Sequence, residues 1–251
     1  AYAYVLVFFM RLLRPEQIAR MDPEIMQKEH ENELIRQEKE QENKMKKQRK
    51  NNTEKMKNQK IERVVNPFIR IAGTQALLWG ALGLVVSTLL SWLSGYHYHG
   101  LLHFGPAPNP AWWCYWAEHL MVWLVPATLF YIGGKIFSHS KIRMVDVYGT
   151  VLFAQLPMIG MNLIYLLPPM QAIAQVDSTM APTEIPAIPN LHWAIFLSLL
   201  GLPFIIFSLI WMFQALKVSC NLKQSRLWII ALVGIIGGDI LCRFSINLFY
   251  S

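Results

Sequence analysis

The chain has 251 residues, of which 54% are hydrophobic and only 16% charged, against about 25% charged in ordinary soluble domains. Of its 39 formal charges, 26 lie between Arg11 and Arg63, which leaves a body from Val64 onward too apolar for a water-soluble domain. The net charge of +7 does not point to nucleic acid, because the bases either alternate with acids or flank apolar runs.

The chain opens on "AYAYVLVFFMRLLRP". About 20 apolar residues are needed to cross a bilayer, so this shorter run reads as the end of a span, an interfacial helix, or a shifted start. Next comes "MQKEHENELIRQEKEQENKMKKQRKNNTEKMKNQK". Here Glu40–Lys44 and Glu42–Lys46 are spaced for (i, i+4) pairs, while Leu34, Ile35, Met45 and Met56 make no heptad seam. A solvated helix or disordered arm is expected, with a partner-binding helix as the alternative. Asn51-Asn52-Thr53 is a glycosylation sequon that goes unused if the arm is cytoplasmic.

Five apolar runs follow, near 69–94, 115–135, 145–167, 192–216 and 227–249. Each is long enough to cross about 30 Å of hydrocarbon as a helix, and none alternates like a barrel strand. The expected fold is therefore all-α: a five-span membrane bundle, residues 64–251, behind residues 1–63, which comprise the short apolar segment and the charged arm. Lys135, Lys141 and Arg143 lie after the second run and Lys217, Lys223 and Arg226 after the fourth, whereas the loops 95–114 and 168–191 have no Lys or Arg. The alternation predicts a cytoplasmic arm and an external C-terminus. Trp92, Tyr96, Tyr98, Trp112, Trp113, Tyr115, Trp116, Tyr165, Trp193 and Tyr250 read as an aromatic band at the outer interface. Ala72, Ala76, Gly80, Gly83 and Ser87 form a small-residue face, and Gly234, Gly237 and Gly238 another, both suited to close helix packing.

Between the first two runs lies "SGYHYHGLLHFGPAPNPAWWCYWAEH". Neutral imidazole ligates zinc or copper, so His97, His99, His103, Glu118 and His119 form a metal-site hypothesis. A pH sensor and a plain interfacial loop, stiffened by Pro106, Pro108 and Pro110, are the alternatives. Inside the runs, Asp239 and Arg243 share a helix face that Asn247 extends. They predict either an ion pair within the helix or, with Gln155, Asn162 and Gln214, a polar substrate pathway. Pro126, Pro157 and Pro203 interrupt the second, third and fourth runs and free backbone carbonyls there.

Cys114, Cys220 and Cys242 are scattered, which argues against a disulfide framework and a zinc ribbon. No hydrolase elbow, P-loop or nucleotide loop is present; Gly133-Gly134-Lys135 lacks the first Gly and final Ser/Thr of a Walker A motif. No enzyme and no cofactor are expected.

The stretch "SKIRMVDVYGTVLFAQLPMI", the join "FQALKVSCNLKQSRLW", the five runs and the charged arm resemble the Yip family. Asp146, Tyr148 and Gly149 match its D-L-Y-G-P signature, while Val147 and Thr150 differ. The resemblance implies a five-span membrane protein without enzymatic activity. Eukaryotic members act with small GTPases in vesicle traffic, and some bacterial members are thought to assist ABC exporters. The large basic arm and incomplete signature point to a bacterial, inner-membrane member. Its partners would be the lipid bilayer, an ABC exporter or other membrane complex, and a second copy of the chain.

Overall fold

In a computed structural model of the chain, residues 23–106, 111–174 and 188–250 are described. The segments 1–13 and 168–191 carried sequence expectations that fall wholly or partly outside these residues, as do Pro108 and Pro110. The chain divides into two units between Ile61 and Glu62.

The first unit contributes most of helix α1, Pro23–Val65. Its Glu, Gln, Lys and Arg have high helix propensity and lose little rotamer freedom in a helix. Lys44–Glu40 and Lys46–Glu42 close at 2.6 Å. Leu34, Ile35, Met45 and Met56 are all exposed, so this helix has no buried apolar face.

Among the described residues, the second unit holds five helices long and apolar enough to cross a membrane. They are α2 (Gly73–Ser94); α3 (Trp112–Phe137); the pair α4 (Met144–Phe153) and α5 (Met158–Tyr165); α7 (Leu191–Cys220); and α8 (Gln224–Leu232) continuing into α9 (Gly238–Tyr250). Short helix α6, Pro168–Ala174, follows the third span. A two-stranded antiparallel hairpin, β1 (Tyr96–Tyr98) and β2 (Phe104–Pro106), joins α2 to α3. Gly95, at φ +69°, ends α2 in the left-handed conformation and turns the chain into that hairpin.

The third span is the centre of the bundle: 61% of its apolar window is buried, against 17–39% for the other four. α4 packs on α2, α3 and α7, and α5 packs on α2 and α7. The face of α2 turned inward is built almost wholly from small residues, including Gly73, Ala76, Gly80, Gly83 and Ser87. A Cβ on Gly80 would stand 2.7 Å from Leu152 Cγ and 2.8 Å from the Phe153 backbone nitrogen. Lipid supplies no hydrophobic drive between helices, so this backbone approach is what gains dispersion contact. Gly234 likewise receives the Phe130 ring, and Gly238 lies against Pro126. Gly80→Leu should therefore lower stability by about 1–3 kcal/mol or more. Gly237→Leu, where the nearest atom to a new Cβ is Val233 Cγ1 at 4.0 Å, should change little. Denaturant titration in one detergent checks both; equal melting of the two variants would contradict the packing argument.

Side chains repair the breaks at Pro126 and Pro157. Pro126 cannot donate to the Val122 carbonyl one turn earlier, and Gln155 Nε2 donates to that oxygen at 2.9 Å instead. The third span breaks before Pro157, and there Ser208 Oγ donates to the Ala154 carbonyl at 2.9 Å. The fifth span carries a π-helical turn, Val233–Gly237, immediately before Asp239.

Candidate functional site

The hairpin is only partly a surface loop: His103 and Pro106 are exposed, but its first strand is not. Tyr96, His97, Tyr98 and Leu101 are buried, so the segment tucks into one end of the bundle. Its polar groups then require partners inside the protein, because a buried backbone or side-chain group without one costs free energy. Three clusters supply them.

The first is built on α3. Glu118 Oε1 lies 2.8 Å from His97 Nδ1, and Glu118 Oε2 accepts the Tyr98 backbone N–H at 2.9 Å. The His97 and Glu118 side chains are both fully buried. One carboxyl group thus fixes a strand backbone and a ring together.

The second cluster joins four elements. His119 Nδ1 donates to the Tyr115 carbonyl at 2.8 Å. That assigns the proton of the neutral ring to Nδ1 and makes Nε2 an acceptor, which the Ser87 hydroxyl meets at 3.0 Å. Asn162 Nδ2 donates to Ser87 Oγ at 2.6 Å, and Tyr98 donates its hydroxyl to Asn162 Oδ1 at 2.9 Å. Burial pushes the Tyr98 phenol up to about 12, so it remains a neutral donor. The chain of bonds runs Tyr98, Asn162, Ser87, His119, Tyr115 carbonyl, and every donor along it has an acceptor.

The third cluster is at Asp239 on α9. Its Oδ1 accepts the Leu102 backbone N–H at 2.8 Å, and its Oδ2 is 3.1 Å from His103 Nδ1. Gly100 sits against this contact, where a Cβ would stand 2.7 Å from Asp239 Oδ1 and 2.7 Å from Arg243 Cγ. Tyr96 completes the anchoring by donating to the Met170 carbonyl at 2.9 Å.

The sequence-derived sets are therefore regrouped. The five metal-site residues fall into separate partnerships: His97 with Glu118, His119 with Ser87, His103 with Asp239, and His99 Nε2 3.3 Å from the Pro106 carbonyl. Among the described residues no three His, Cys, Asp or Glu side chains converge to hold a metal ion. Of the pathway residues, Asn162 and Asp239 serve the hairpin and Gln155 serves the kink at Pro126. Gln214 is half-buried on α7, while Arg243 and Asn247 are exposed. The expected Asp239–Arg243 ion pair is absent among the described residues. Asp239 turns instead to the hairpin, whose Leu102 N–H offers a charge-assisted bond.

The aromatic band divides by chemistry. Trp92, Trp112, Trp113 and Trp193 are exposed, but Tyr96, Tyr98, Tyr115 and Tyr165 are buried. Tyr96 stacks on Tyr165 at 4.0 Å between ring centroids. Ser208 and the Leu102 N–H were not singled out from the sequence, and Ser87 was read only as a packing residue. Ser87 had a signal, because it is the polar member of the small-residue face of α2.

Beneath the hairpin is a cavity of about 20 Å³, room for roughly one water. Ser87, Tyr98, His119, Gln155 and Ser208 give it polar walls among Leu and Val side chains.

The signature residues lie at the opposite, basic end. Arg143 holds Asp146 with two bonds of 2.8 and 2.9 Å. Tyr148 meets Thr128 Oγ1 at 2.8 Å, and a Cβ on Gly149 would stand 2.6 Å from the Gly73 carbonyl. These residues seat α4 against the start of α2 and the middle of α3.

The Yip1 domain profile matches residues 55–241. The chain belongs to the Yip1 domain family. The match covers all of the first four spans and most of the fifth, together with the hairpin and the signature at Asp146, Tyr148 and Gly149. This Yip1 domain is a multi-pass membrane protein embedded in the lipid bilayer. No curated protein and no solved structure matches the chain.

Proposed function

We propose that this Yip1 domain protein is a non-enzymatic membrane scaffold, an accessory component of a transport, export or trafficking complex. The observation that carries the reading is how its intramembrane polar residues are used. Glu118, Asn162 and Asp239 hold the hairpin in the bundle, and Gln155 repairs a helix kink. The cavity beneath the hairpin, which Gln155 borders, has room for about one water. A transporter needs polar groups left available to a moving substrate, and these are engaged with the protein's own backbone and side chains.

The basic loops favour a bundle whose hairpin end faces away from the cytoplasm and whose charged arm lies within it. The arm, with its interspersed charges and no apolar face, suits a polar partner surface, such as the cytoplasmic part of an ABC exporter. Deleting residues 14–60 should abolish co-purification of that partner while the five-span body still inserts; retained co-purification would remove the arm from this role. In liposomes the purified chain should show no substrate flux. Flux in the wild type that is lost in Asp239→Asn and Asn162→Leu variants would establish the transporter reading in its place.

A further inference from the structure

At the basic end, the loop after α3 and the loop between α7 and α8 meet around a hollow of about 460 Å³. Asn221 Nδ2 donates to Ser140 Oγ at 2.9 Å and ties the two loops together. Arg226 is aimed by two contacts: Nη1 donates to the Phe137 carbonyl at 3.3 Å and lies 3.3 Å from His139 Nε2. A guanidinium has five N–H donors, so most of that fork remains available to a ligand. Lys223 and the Ser138 hydroxyl also line the hollow, and among the described residues no Asp or Glu does. The wall is thus two cations, of which Arg226 is held in place, with hydroxyl, amide and imidazole groups around them.

The position of the hollow argues for the source of an anion. It lies where the second span ends and the fifth begins, at the level of lipid headgroups. Ile136, Phe137 and Trp228 beside it are exposed, and apolar side chains left exposed at that level face acyl chains. A free anion would have no use for such a border.

We propose that this hollow binds the phosphate group of an anionic phospholipid, with Arg226 and Lys223 as the cationic contacts. Basic pockets between spans have the right chemistry for such headgroups, and each Lys or Arg near an anionic surface adds about 1 kcal/mol, close to a factor of five. The test uses the purified full chain in a neutral detergent and native mass spectrometry. The probes are phosphatidylglycerol, phosphatidylcholine with the same acyl chains, and inorganic phosphate. Phosphatidylglycerol should be retained at least about tenfold over phosphatidylcholine. Lys223→Ala with Arg226→Ala should lose that preference, and Lys217→Ala, outside the hollow, should keep it. Lys223→Glu keeps the test decisive if removal of Arg226 disturbs folding, because it should invert the preference while leaving both Arg226 contacts in place. Equal retention of the two lipids, or a preference that survives Lys223→Glu, would overturn the proposal. Saturation by inorganic phosphate with no lipid preference would overturn the lipid assignment in favour of a soluble anion.

Discussion

Glu118→Ala should release the hairpin from the bundle. The substitution strands His97 Nδ1 and the Tyr98 N–H, both held by this one carboxyl group, in a site where the His97 and Glu118 side chains have no solvent exposure. Each buried polar group left without its partner costs about 1–3 kcal/mol, and two together are a large fraction of the stability of a typical domain. Glu118→Gln should cost less, since its carbonyl oxygen still accepts one of the two bonds. Accessibility gives a readout that separates release from general unfolding. The native Cys114, Cys220 and Cys242 are buried free thiols, so a Leu101→Cys reporter on the hairpin would be read against a low background. In otherwise wild-type protein it should react slowly with a polar maleimide, because Leu101 is buried. In Glu118→Ala it should react rapidly while the three native thiols stay protected. Slow labelling in both backgrounds would show that Glu118 does not hold the hairpin down.

The second large effect is expected at Tyr98 and Asn162. Tyr98→Phe removes the donor to Asn162 Oδ1, and Asn162→Leu removes the acceptor together with the donor to Ser87. Each leaves a buried polar atom unsatisfied, at about 1–3 kcal/mol. The double variant should be less destabilised than the sum of the two by about 0.5–3 kcal/mol, because the bond can be lost only once. Equilibrium denaturation in one mixed micelle measures all four corners of the cycle. Simple additivity would mean that the two side chains do not share a bond.

The five spans were readable because the hydrocarbon thickness demands about 20 apolar residues per helix, and that demand is met by consecutive residues. The packing face of α2 was readable for a related reason. Small residues at Ala76, Gly80, Gly83 and Ser87 mark a helix row whatever it packs against, although the partner, Leu152 and Phe153, was not legible. The polar residues were also visible in the sequence as costly groups, but their grouping was wrong. His97, His99 and His103 are close in sequence and were read together, yet the bonds that organise them run elsewhere. Tyr98 bonds Asn162 64 residues away, and Leu102 bonds Asp239 137 residues away. The tyrosines misled for a similar reason: an aromatic ring with a hydroxyl suits a membrane interface and a buried hydrogen-bond network equally well, and only burial separates the two.

By itself the sequence determined the membrane class, the number of spans, the charged helix before them and the family, since each is written in local composition, length or motif. Tertiary structure decided that the stretch from Tyr96 to Leu101 enters the bundle, and that Glu118, Asn162 and Asp239 hold the hairpin there. The physical reason is that a hydrogen bond depends on a separation of about 3 Å in space, which local composition does not encode. A hydrophobic span depends only on which residues follow one another.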